Sequence, residues 1–336
     1  NLSIDLNWPE AREAALKLCQ ETDVIVENFR PGTMKTFGLD YETVRQQNPA
    51  VVYVSMSGYG QNTPWSTRPA FAPTVQAESG ATQTQMDHFG DDLLQPVTDW
   101  ASHADVYTGL EGAIAVLAGL NKRNATGTGL HGDVSMMATM LAVNERLHAQ
   151  INELDAADEP LALGAPESPI FKVADGSFVT IAASPISSGV FMRYCGMMGR
   201  NDLRTDSRFA TPALRRENLK ALLNEVQNWM RSFRSFEELE YQVSGAGGLA
   251  VGKVRTAADL LETDWAQAAE PTYTSLVGDL EIRLPKGPWL FNGKDTGALS
   301  AAAPRGANNR EVLSEAGFDD ATIKAWEDAG ILSSDL

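Results

Sequence analysis

Short apolar runs alternate with amphipathic stretches along the first half of the chain. Apolar residues at helical spacing predict a first helix, with Asn7 able to cap its start, Pro9 in its first turn and Glu21 near its end. Similar spacing predicts helices over residues 41–47, 104–121 and 134–154. The compact apolar runs that predict strands are residues 1–6, 24–26 and 51–55. Strands that alternate with helices in this way are typical of an α/β fold with a parallel sheet.

The second half of the chain has a different pattern, in which strand-like runs follow one another closely. Residues 170–173 and 178–182 flank the turn Asp175-Gly176, and this arrangement predicts a β-hairpin. The prolines and acids of residues 155–169 predict a linker ahead of it. The remaining segments predict a helix over residues 214–230, strands between 272 and 284, and two closing helices at 309–315 and 319–329.

The composition is that of an ordinary soluble globular protein and narrows the classes of partner. Of the 336 residues, 43% are hydrophobic and 21% are charged, which allows one large domain or two smaller ones. The formal net charge is −17 and the sequence has no Lys/Arg-rich run. This excludes a nucleic-acid partner, because binding to a phosphate backbone needs clustered positive charge. No apolar run is long enough to span a bilayer and no secretory signal is visible, so no membrane partner is expected.

Cysteine and histidine usage predicts no metal site. Cys19 and Cys195 lack any CxxC or Cys/His spacing, and the four histidines are scattered. Two reduced, buried thiols in a cytoplasmic protein are therefore expected. The chain starts at Asn1 without an initiator methionine, and its first residues are already strand-like, so we expect a further segment ahead of Asn1. In α/β folds such a segment often contributes a ligand-binding strand.

Two loops follow predicted strands, at the edge where open α/β sheets bind ligands. The loop of residues 57–61 contains glycines that let backbone N–H groups approach a ligand, although an ordinary connecting loop has the same composition. It lacks the GxGxxG spacing of a dinucleotide site. The turn that begins at Asn28 carries Arg30, whose guanidinium suits a phosphate or a carboxylate but is equally compatible with a structural turn at the surface.

Asp105 is the principal candidate for chemistry. It stands in the first turn of a predicted helix, ahead of a face of small residues. An aspartate at that position is a routine helix cap. A nucleophilic carboxylate has a compatible requirement, since it must stay ionised while poorly solvated, and a helix N-terminus stabilises an anion without water. The residues alone therefore leave both roles open.

The ordered set of these segments resembles the family III CoA-transferases, the CaiB/BaiF superfamily. Each segment is short, and the specificity lies in their order over nearly the whole chain. The matching segments are residues 24–32 (VIVENFRPG), 37–39 (FGL), 52–61 (VYVSMSGYGQ), 105–109 (DVYTG), 126–129 (TGTG), 175–176 (DG) and 305–309 (RGANN).

The resemblance implies an α/β protein with a Rossmann-like large domain built from both chain ends and a smaller α+β domain. On this sequence the large domain would comprise residues 1–150 and 286–336, the linker residues 151–169 and the small domain residues 170–285. The family's usual opening strand and glycine-rich turn, which help to hold CoA, would lie ahead of Asn1. Two chains of this family interlock as linked rings, so the resemblance also implies an interlocked homodimer.

The resemblance places the family's catalytic aspartate at Asp105. Its carboxylate would attack an acyl-CoA thioester, and CoA would pass to a second carboxylic acid through aspartyl anhydride and aspartyl-CoA thioester intermediates. CoA is thus implied as part of a substrate, with no permanently bound cofactor. A nucleotide-binding arginine of the family corresponds to Thr36 here, which leaves Lys35 for that role. The residues that the resemblance assigns to CoA binding are Arg30, Lys35, Phe37, Ser57, Gly58, Tyr59, Gly60 and Gln61.

Two alternatives from other functional classes stay open. The superfamily contains 2-methylacyl-CoA racemases, in which a histidine across the α-carbon from the aspartate moves a proton. Phe71 stands at the position of that histidine and cannot exchange a proton, which leaves His88 and His103 as the candidate substitutes. The other alternative is a CoA-binding protein without catalysis. No motif identifies the acyl donor or the acceptor acid.

Overall fold

The structure is a computed structural model that describes residues 1–83, 101–144, 151–152, 170–295 and 302–334. The chain divides into two compact units. The first contains the described residues of Asn1–Gln83, Pro96–Asn144 and Pro271–Leu336, and the second contains those of Glu145–Glu270. The domain limits expected from the sequence stay a prediction, and the linker expected at residues 151–169 lies almost wholly outside the described residues.

The described residues form helices and short strands. The α-helices, in chain order, are α1 (Pro9–Glu21), α2 (Thr33–Thr36), α3 (Tyr41–Gln47), α4 (Ala72–Glu78), α5 (His103–Thr126), α6 (Met136–Ala142), α7 (Ser188–Met197), α8 (Pro212–Glu217), α9 (Leu219–Met230), α10 (Phe236–Glu240), α11 (Ala257–Leu261), α12 (Asp264–Ala269), α13 (Asn309–Glu315) and α14 (Asp320–Asp328). The strands are β1 (Val24–Glu27), β2 (Val52–Ser57), β3 (Leu130–Ser135), β4 (Phe171–Lys172), β5 (Phe178–Ile181), β6 (Val251–Lys253), β7 (Thr272–Val277), β8 (Leu280–Pro285), β9 (Leu290–Phe291) and β10 (Lys294–Asp295). None of the helices in this part of the chain has the length and apolarity needed to cross a bilayer.

A parallel sheet in the order β1-β2-β3 organises the first unit. Val24 lies beside Val52, which in turn lies beside Leu130. The strands predicted at residues 24–26 and 51–55 are confirmed as β1 and β2. The helix predicted from Val134 is wrong at its start, because β3 extends to Ser135 and the helix that follows is short.

Helix α5 covers one face of this sheet at close range. A Cβ placed on Gly119 would lie 2.5 Å from Val52, and one placed on Gly112 would lie 2.7 Å from Met56. The two glycines are seven residues apart and so lie on the same side of the helix. Their lack of a side chain lets α5 approach β2 and brings the first turn of α5 to the carboxyl end of that strand.

Helices α1 and α3 cover the other face. Val44 and Tyr53 are buried there, packed with Leu16 and Cys19. Because side chains alternate along a strand, Tyr53 points away from the face that Val52 presents to α5. The sheet is therefore covered by helices on both faces, as parallel sheets generally are, and the predicted α/β class is confirmed.

The first described residues pack against the last ones. Ile4 forms an isolated antiparallel bridge with Leu332, so the strand predicted over residues 1–6 is wrong. The cap predicted at Asn7 is also wrong, because Trp8 occupies the N-cap position and the Asn7 amide donates instead to Asp5 Oδ1 at 2.9 Å. The predicted closing helices are confirmed as α13 and α14, which pack on α1 through a buried apolar cluster.

The second unit is built around the antiparallel sheet β4-β5-β6 and has its own apolar core. The predicted hairpin is confirmed, with Gly176 in its turn at φ 91°. The single helix predicted over residues 214–230 is instead two helices that meet at Asn218, because the backbone of Asn218 (φ −102°, ψ 22°) leaves the helical conformation. The strands predicted between 272 and 284 are confirmed as the hairpin β7-β8, which belongs to the first unit.

Candidate active site

A cavity of about 500 Å³ lies where β1 and β2 end and α5 begins. All the described residues that line it belong to the first unit. Asp105 is the one acid among them, and the wall also carries two cations and several apolar side chains. The lining residues are Asn28, Phe29, Arg30, Pro31, Met56, Ser57, Gly58, Ser66, Arg68, Ala70, Phe71, Asp105, Thr108, Gly109 and Met136.

Asp105 is the third residue of α5, and its carboxylate is exposed at this cavity. Within the described part of the chain, the carboxylate accepts no hydrogen bond and forms no ion pair. The N-cap position belongs to Ser102, so Asp105 is not the cap. Its place in the first turn puts it near the partial positive charge of the α5 N-terminus. The arrangement therefore leaves an anionic oxygen available to a ligand.

Buried neighbours hold the first turn of α5 in place. Ala104 is fully buried in the cluster that contains Tyr59, and its backbone N–H donates to Gln76 Oε1 at 3.2 Å. Thr108, also buried, donates from its hydroxyl to the Ala104 carbonyl at 2.6 Å. Asp105 thus projects from a turn that is fixed on both sides.

The loop after β2 is closed by hydrogen bonds to its own backbone. The Ser57 hydroxyl accepts from the Gly60 N–H at 3.0 Å. Gly60 has φ 88°, a conformation that favours glycine. The Gln61 N–H donates to Asp133 Oδ2 at 2.9 Å, which ties the loop to β3. Ser57 and Gly58 are thereby fixed on the cavity wall.

Arg68 is the second cation on the wall. Its guanidinium carbon lies 4.3 Å from the centre of the Trp65 ring and 5.0 Å from that of Tyr59, and it pairs with Glu78. Burial raises the pKa of Tyr59, and the nearby Glu78 raises it further, so the ring under the guanidinium stays a neutral phenol. Arg68 was not among the site residues predicted from the sequence.

A second cavity of about 300 Å³ is lined in part by the same arginine as the first, Arg30. At its base the Ser55 hydroxyl and His131 Nε2 are 2.9 Å apart, and Tyr41 stacks on the imidazole at 5.1 Å between ring centres. The lining residues are Glu27, Arg30, Gly32, Met34, Lys35, Asp40, Tyr41, Tyr53, Ser55, Gln61, Asn62 and His131.

The structure brings most of the predicted site residues to these two cavities. Asp105, Arg30, Ser57 and Gly58 line the first; Arg30, Lys35 and Gln61 line the second. Three predicted residues line neither cavity. Phe37 lies under the Arg12 guanidinium at 5.6 Å, Tyr59 is buried in the core at 5% exposure, and Gly60 supports the loop.

No histidine lines the first cavity among the described residues. Phe71 lines it with 71% of its surface exposed. His103 stacks on Tyr107 at 5.6 Å, and His88 lies outside the described residues. Neither candidate substitute for the racemase histidine is therefore seen opposite Asp105.

Metal ligation and thiol chemistry find no support in the described residues. No group of three or more His, Cys, Asp or Glu side chains there is placed to hold a metal ion. Both cysteines are free, and burial raises the pKa of the Cys19 and Cys195 thiols, so neither is an activated thiolate. Asp105 therefore stays the principal candidate for chemistry at the first cavity.

Comparisons with known proteins agree with this geometry. The family model described as CoA-transferase family III matches residues 1–309. An acyl-CoA transferase of Fusarium pseudograminearum is 28% identical over 350 residues, which are 99% of this chain and 72% of that protein. A succinyl-CoA–D-citramalate CoA-transferase of Chloroflexus aurantiacus is 28% identical over 323 residues, which are 94% of this chain and 77% of that protein. The crystal structure of a CaiB/BaiF family protein from Brucella suis gives a TM-score of 0.73 at 25% identity, covering 94% of this chain and 81% of that one. The chain therefore belongs to CoA-transferase family III.

Proposed function

We propose that this protein is a CoA-transferase that moves CoA from an acyl-CoA thioester to a second carboxylic acid by covalent catalysis at Asp105. The observation that carries the proposal is the Asp105 carboxylate, which has no partner among the described residues and lies at a cavity of about 500 Å³ in a chain of this family. Relatives at 28% to 31% identity include transferases named for D-citramalate, mesaconate and glutarate. All of these names describe CoA transfer, and they differ in the acids that take part.

The reaction begins with attack of a carboxylate oxygen of Asp105 on the thioester carbonyl carbon. The C–S bond breaks, which leaves an aspartyl–acyl anhydride and a CoA thiolate. The thiolate attacks the aspartyl carbonyl carbon, expels the first acid as its carboxylate and forms an aspartyl-CoA thioester. A carboxylate oxygen of the second acid then attacks the aspartyl-CoA carbonyl carbon, and the C–S bond breaks to give a new anhydride and the CoA thiolate. The thiolate attacks the acyl carbonyl carbon of this anhydride, and the bond from that carbon to the bridging oxygen breaks. The new acyl-CoA leaves and the Asp105 carboxylate is regenerated.

This sequence needs neither ATP nor a metal ion, because one thioester is exchanged for another. Dividing a difficult exchange into anhydride and thioester steps is the advantage of covalent catalysis. Each tetrahedral intermediate carries an oxyanion, and the partial positive charge at the N-terminus of α5 favours the negative charge that develops beside Asp105.

Both cavities take part in the proposed CoA site. The thioester end lies beside Asp105 in the first cavity, and the nucleotide extends toward the second, where Lys35 and Arg30 supply positive charge. Arg30 lines both cavities and forms no ion pair within the described residues, so its charge is available to a phosphate. The location of both cavities in the first unit supports a Rossmann-like CoA-binding domain of residues 1–150 and 286–336.

The test is chemical trapping of the covalent intermediates. Incubation with an acyl-CoA in the presence of hydroxylamine should convert the Asp105 side chain to a hydroxamate, located by fragment-ion mass spectrometry. Asp105→Asn should give no hydroxamate. A racemase would instead exchange the α-proton of a 2-methylacyl-CoA with deuterated solvent in the absence of an acceptor. Failure of every acyl-CoA to label Asp105 would contradict the transferase proposal.

We also propose that the active form is an interlocked homodimer. An apolar stripe along α5 is exposed in the single chain: Val106 (57% exposed), Leu110 (53%), Ile114 (57%) and Leu117 (66%). Their spacing places them on one side of the helix. A continuous apolar face on a soluble protein is typical of an interface, and a second copy of the chain is the partner that we expect to cover it.

A further inference from the structure

We infer that Arg68 binds a second anionic group on the acid whose CoA thioester reacts, so that acids with two anionic ends are the favoured substrates. This inference rests on the proposed transfer at Asp105. It gives Arg68, a cation on the wall of the cavity that Asp105 also lines, a role in substrate selectivity.

Arg68 is held in one orientation before any substrate arrives. The Trp65 and Tyr59 rings meet edge to face, with centres 5.5 Å apart and planes at 85°, and form a corner. The guanidinium lies in that corner, 4.3 Å from one ring centre and 5.0 Å from the other. Cation–π contacts of this kind favour the charged group over the ring faces. Its planar edge is therefore directed by the two rings, and little side-chain entropy remains to be lost on binding.

The backbone that carries Arg68 is fixed as well. The Arg68 N–H donates to the Trp65 carbonyl at 2.9 Å, which closes a turn. Two residues later, Ala70 packs so closely on Gly58 that a Cβ on Gly58 would lie 2.0 Å from the Ala70 Cβ. Arg68 is thus attached to the end of β2, on the same cavity wall as Ser57 and Gly58.

Arg68 retains donors for a ligand after its pairing with Glu78. The ion pair uses Nη2, whereas a guanidinium carries five N–H donors. Its side chain is 42% exposed, so the remaining donors are accessible. Glu78 does not line the cavity, and Asp105 is the one acid there among the described residues. The cavity side of Arg68 therefore still presents positive charge.

Arg68 and Asp105 line the same cavity without pairing with each other. In the proposed complex the acyl chain lies in this cavity, with its thioester carbon at Asp105 and a second carboxylate at Arg68. Phe29, Met56 and Phe71 supply apolar surface for the chain itself. An acid that ends in a methyl group would leave the Arg68 donors without a ligand partner and would bind less well.

Arg30 is the competing candidate for this role. It lines the same cavity, but it is exposed, lies over no ring among the described contacts, and also lines the second cavity. These features suit a CoA phosphate, and every acyl-CoA substrate carries the same phosphates whichever acid it bears. Substitution of Arg30 should therefore lower activity with all acyl-CoA substrates alike.

The experiment compares thioesters that differ in one terminal group. We would measure kcat/KM for CoA release in hydroxylamine from glutaryl-CoA against pentanoyl-CoA, and from succinyl-CoA against butyryl-CoA. The wild type should prefer the diacid member by about tenfold to 100-fold, the range of a charge-assisted hydrogen bond. Arg68→Met should bring the ratio near one, mainly through a higher KM for the diacid thioester, and Arg68→Lys should retain part of it.

A matched control is Arg208→Met. Like Arg68, Arg208 pairs with an acid (Asp206) and lies over an aromatic ring (Phe209, at 4.9 Å), but it lines neither cavity. It should keep the wild-type ratio. Three results would each overturn the role of Arg68 while the Asp105 hydroxamate still forms. They are an unchanged kcat/KM ratio in Arg68→Met, a wild type that prefers the monoacid thioesters, and loss of the ratio in Arg30→Met. Absence of both CoA release and hydroxamate in the wild type would instead overturn the transferase proposal, and this inference with it.

Discussion

At the residue scale, Asp105 combines an open carboxylate with a fixed backbone. Its neighbours Ala104 and Thr108 are buried and hydrogen-bonded, whereas its own side chain has no partner among the described residues. A free carboxylate on a mobile loop would lose orientation, and a capped one would lose nucleophilicity. Fixed placement of a reactive oxygen is what an attack on a thioester requires.

Gly58 is the residue at which loop packing and activity should be most tightly linked. A methyl group there would meet the Ala70 Cβ at 2.0 Å and displace the segment that carries Arg68 and Phe71. We expect Gly58→Ala to lower kcat/KM by about tenfold to 100-fold, because small misplacements of binding groups are costly. Gly189→Ala, whose added methyl has no neighbour within 4 Å, should leave kcat/KM unchanged. Steady-state kinetics would show whether the two variants differ.

The sequence predicted some of these residues and missed others for definable reasons. Arg30 and Ser57 follow strand ends, a position that can be recognised without a structure. Asp105 was a candidate, but a cap and an open carboxylate look the same in sequence; only the position of Ser102 distinguishes them. Arg68 was missed because its place depends on a contact between Gly58 and Ala70 that no local pattern records.

At the element scale, the junction of β2 and β3 depends on a close backbone approach. A Cβ on Gly129 would lie 1.8 Å from the Val51 carbonyl oxygen, and backbone cannot yield as a side chain can. We expect Gly129→Ala to lower the free energy of unfolding by about 3 kcal/mol. Gly132→Ala, three residues on, has its nearest neighbour at 3.5 Å and should change stability by less than about 1 kcal/mol. Equal losses in chemical denaturation would contradict this account.

The hairpin of the second unit should show a defined pH dependence through Asp175. The Ser177 N–H donates to its carboxylate at 2.8 Å and the Phe236 N–H at 3.2 Å, and the first of these is the main reason that the pKa of Asp175 lies below its ordinary value. Because the pKa of Asp175 is lowered in the folded state, the stabilisation from these hydrogen bonds is complete above the unfolded-state pKa of about 4. It is lost as the pH falls through the lower folded-state pKa.

Asp175→Ala should therefore be less stable than the wild type at neutral pH, with the difference shrinking below about pH 4. Denaturation across this range would measure it. Asp279→Ala, at an exposed position in the β7-β8 turn, is the control and should show no comparable trend. A difference from the wild type that stays constant with pH would argue against the hydrogen-bonded carboxylate as its cause.

Elements with a clean apolar pattern were predictable, and those whose contacts are polar or backbone-mediated were not. Residues 24–26 of β1 and 51–54 at β2 are unbroken apolar runs, so both strands could be predicted from sequence, although Val26 is 52% exposed. No apolar run marks β3. His131 hydrogen-bonds with Ser55, Asp133 accepts from the loop after β2, and Gly132 between them has no side chain. The predicted first strand failed because Ile4 pairs with a residue more than 300 positions away.

At the scale of the whole molecule, the exposed stripe on α5 predicts association. We expect the wild type to sediment as a dimer, and Leu110→Glu with Leu117→Glu to shift it toward monomer, because charge on a buried interface is costly. Val254→Glu, at an exposed apolar position in the second unit, serves as the control and should sediment as the wild type does. A monomeric wild type at micromolar concentration would contradict the proposed homodimer.

Transfer of isotope into the nucleophile tests the central claim most directly. When the acceptor acid carries 18O in both carboxylate oxygens, its attack on the aspartyl-CoA thioester places one 18O in the anhydride bridge. Attack of the thiolate on the new acyl carbonyl then leaves that 18O on Asp105. The account predicts 18O in the Asp105 carboxylate after turnover and none in Glu111, as resolved by fragment ions. New acyl-CoA formed without 18O on Asp105 would contradict it, because the label would then have bypassed the side chain.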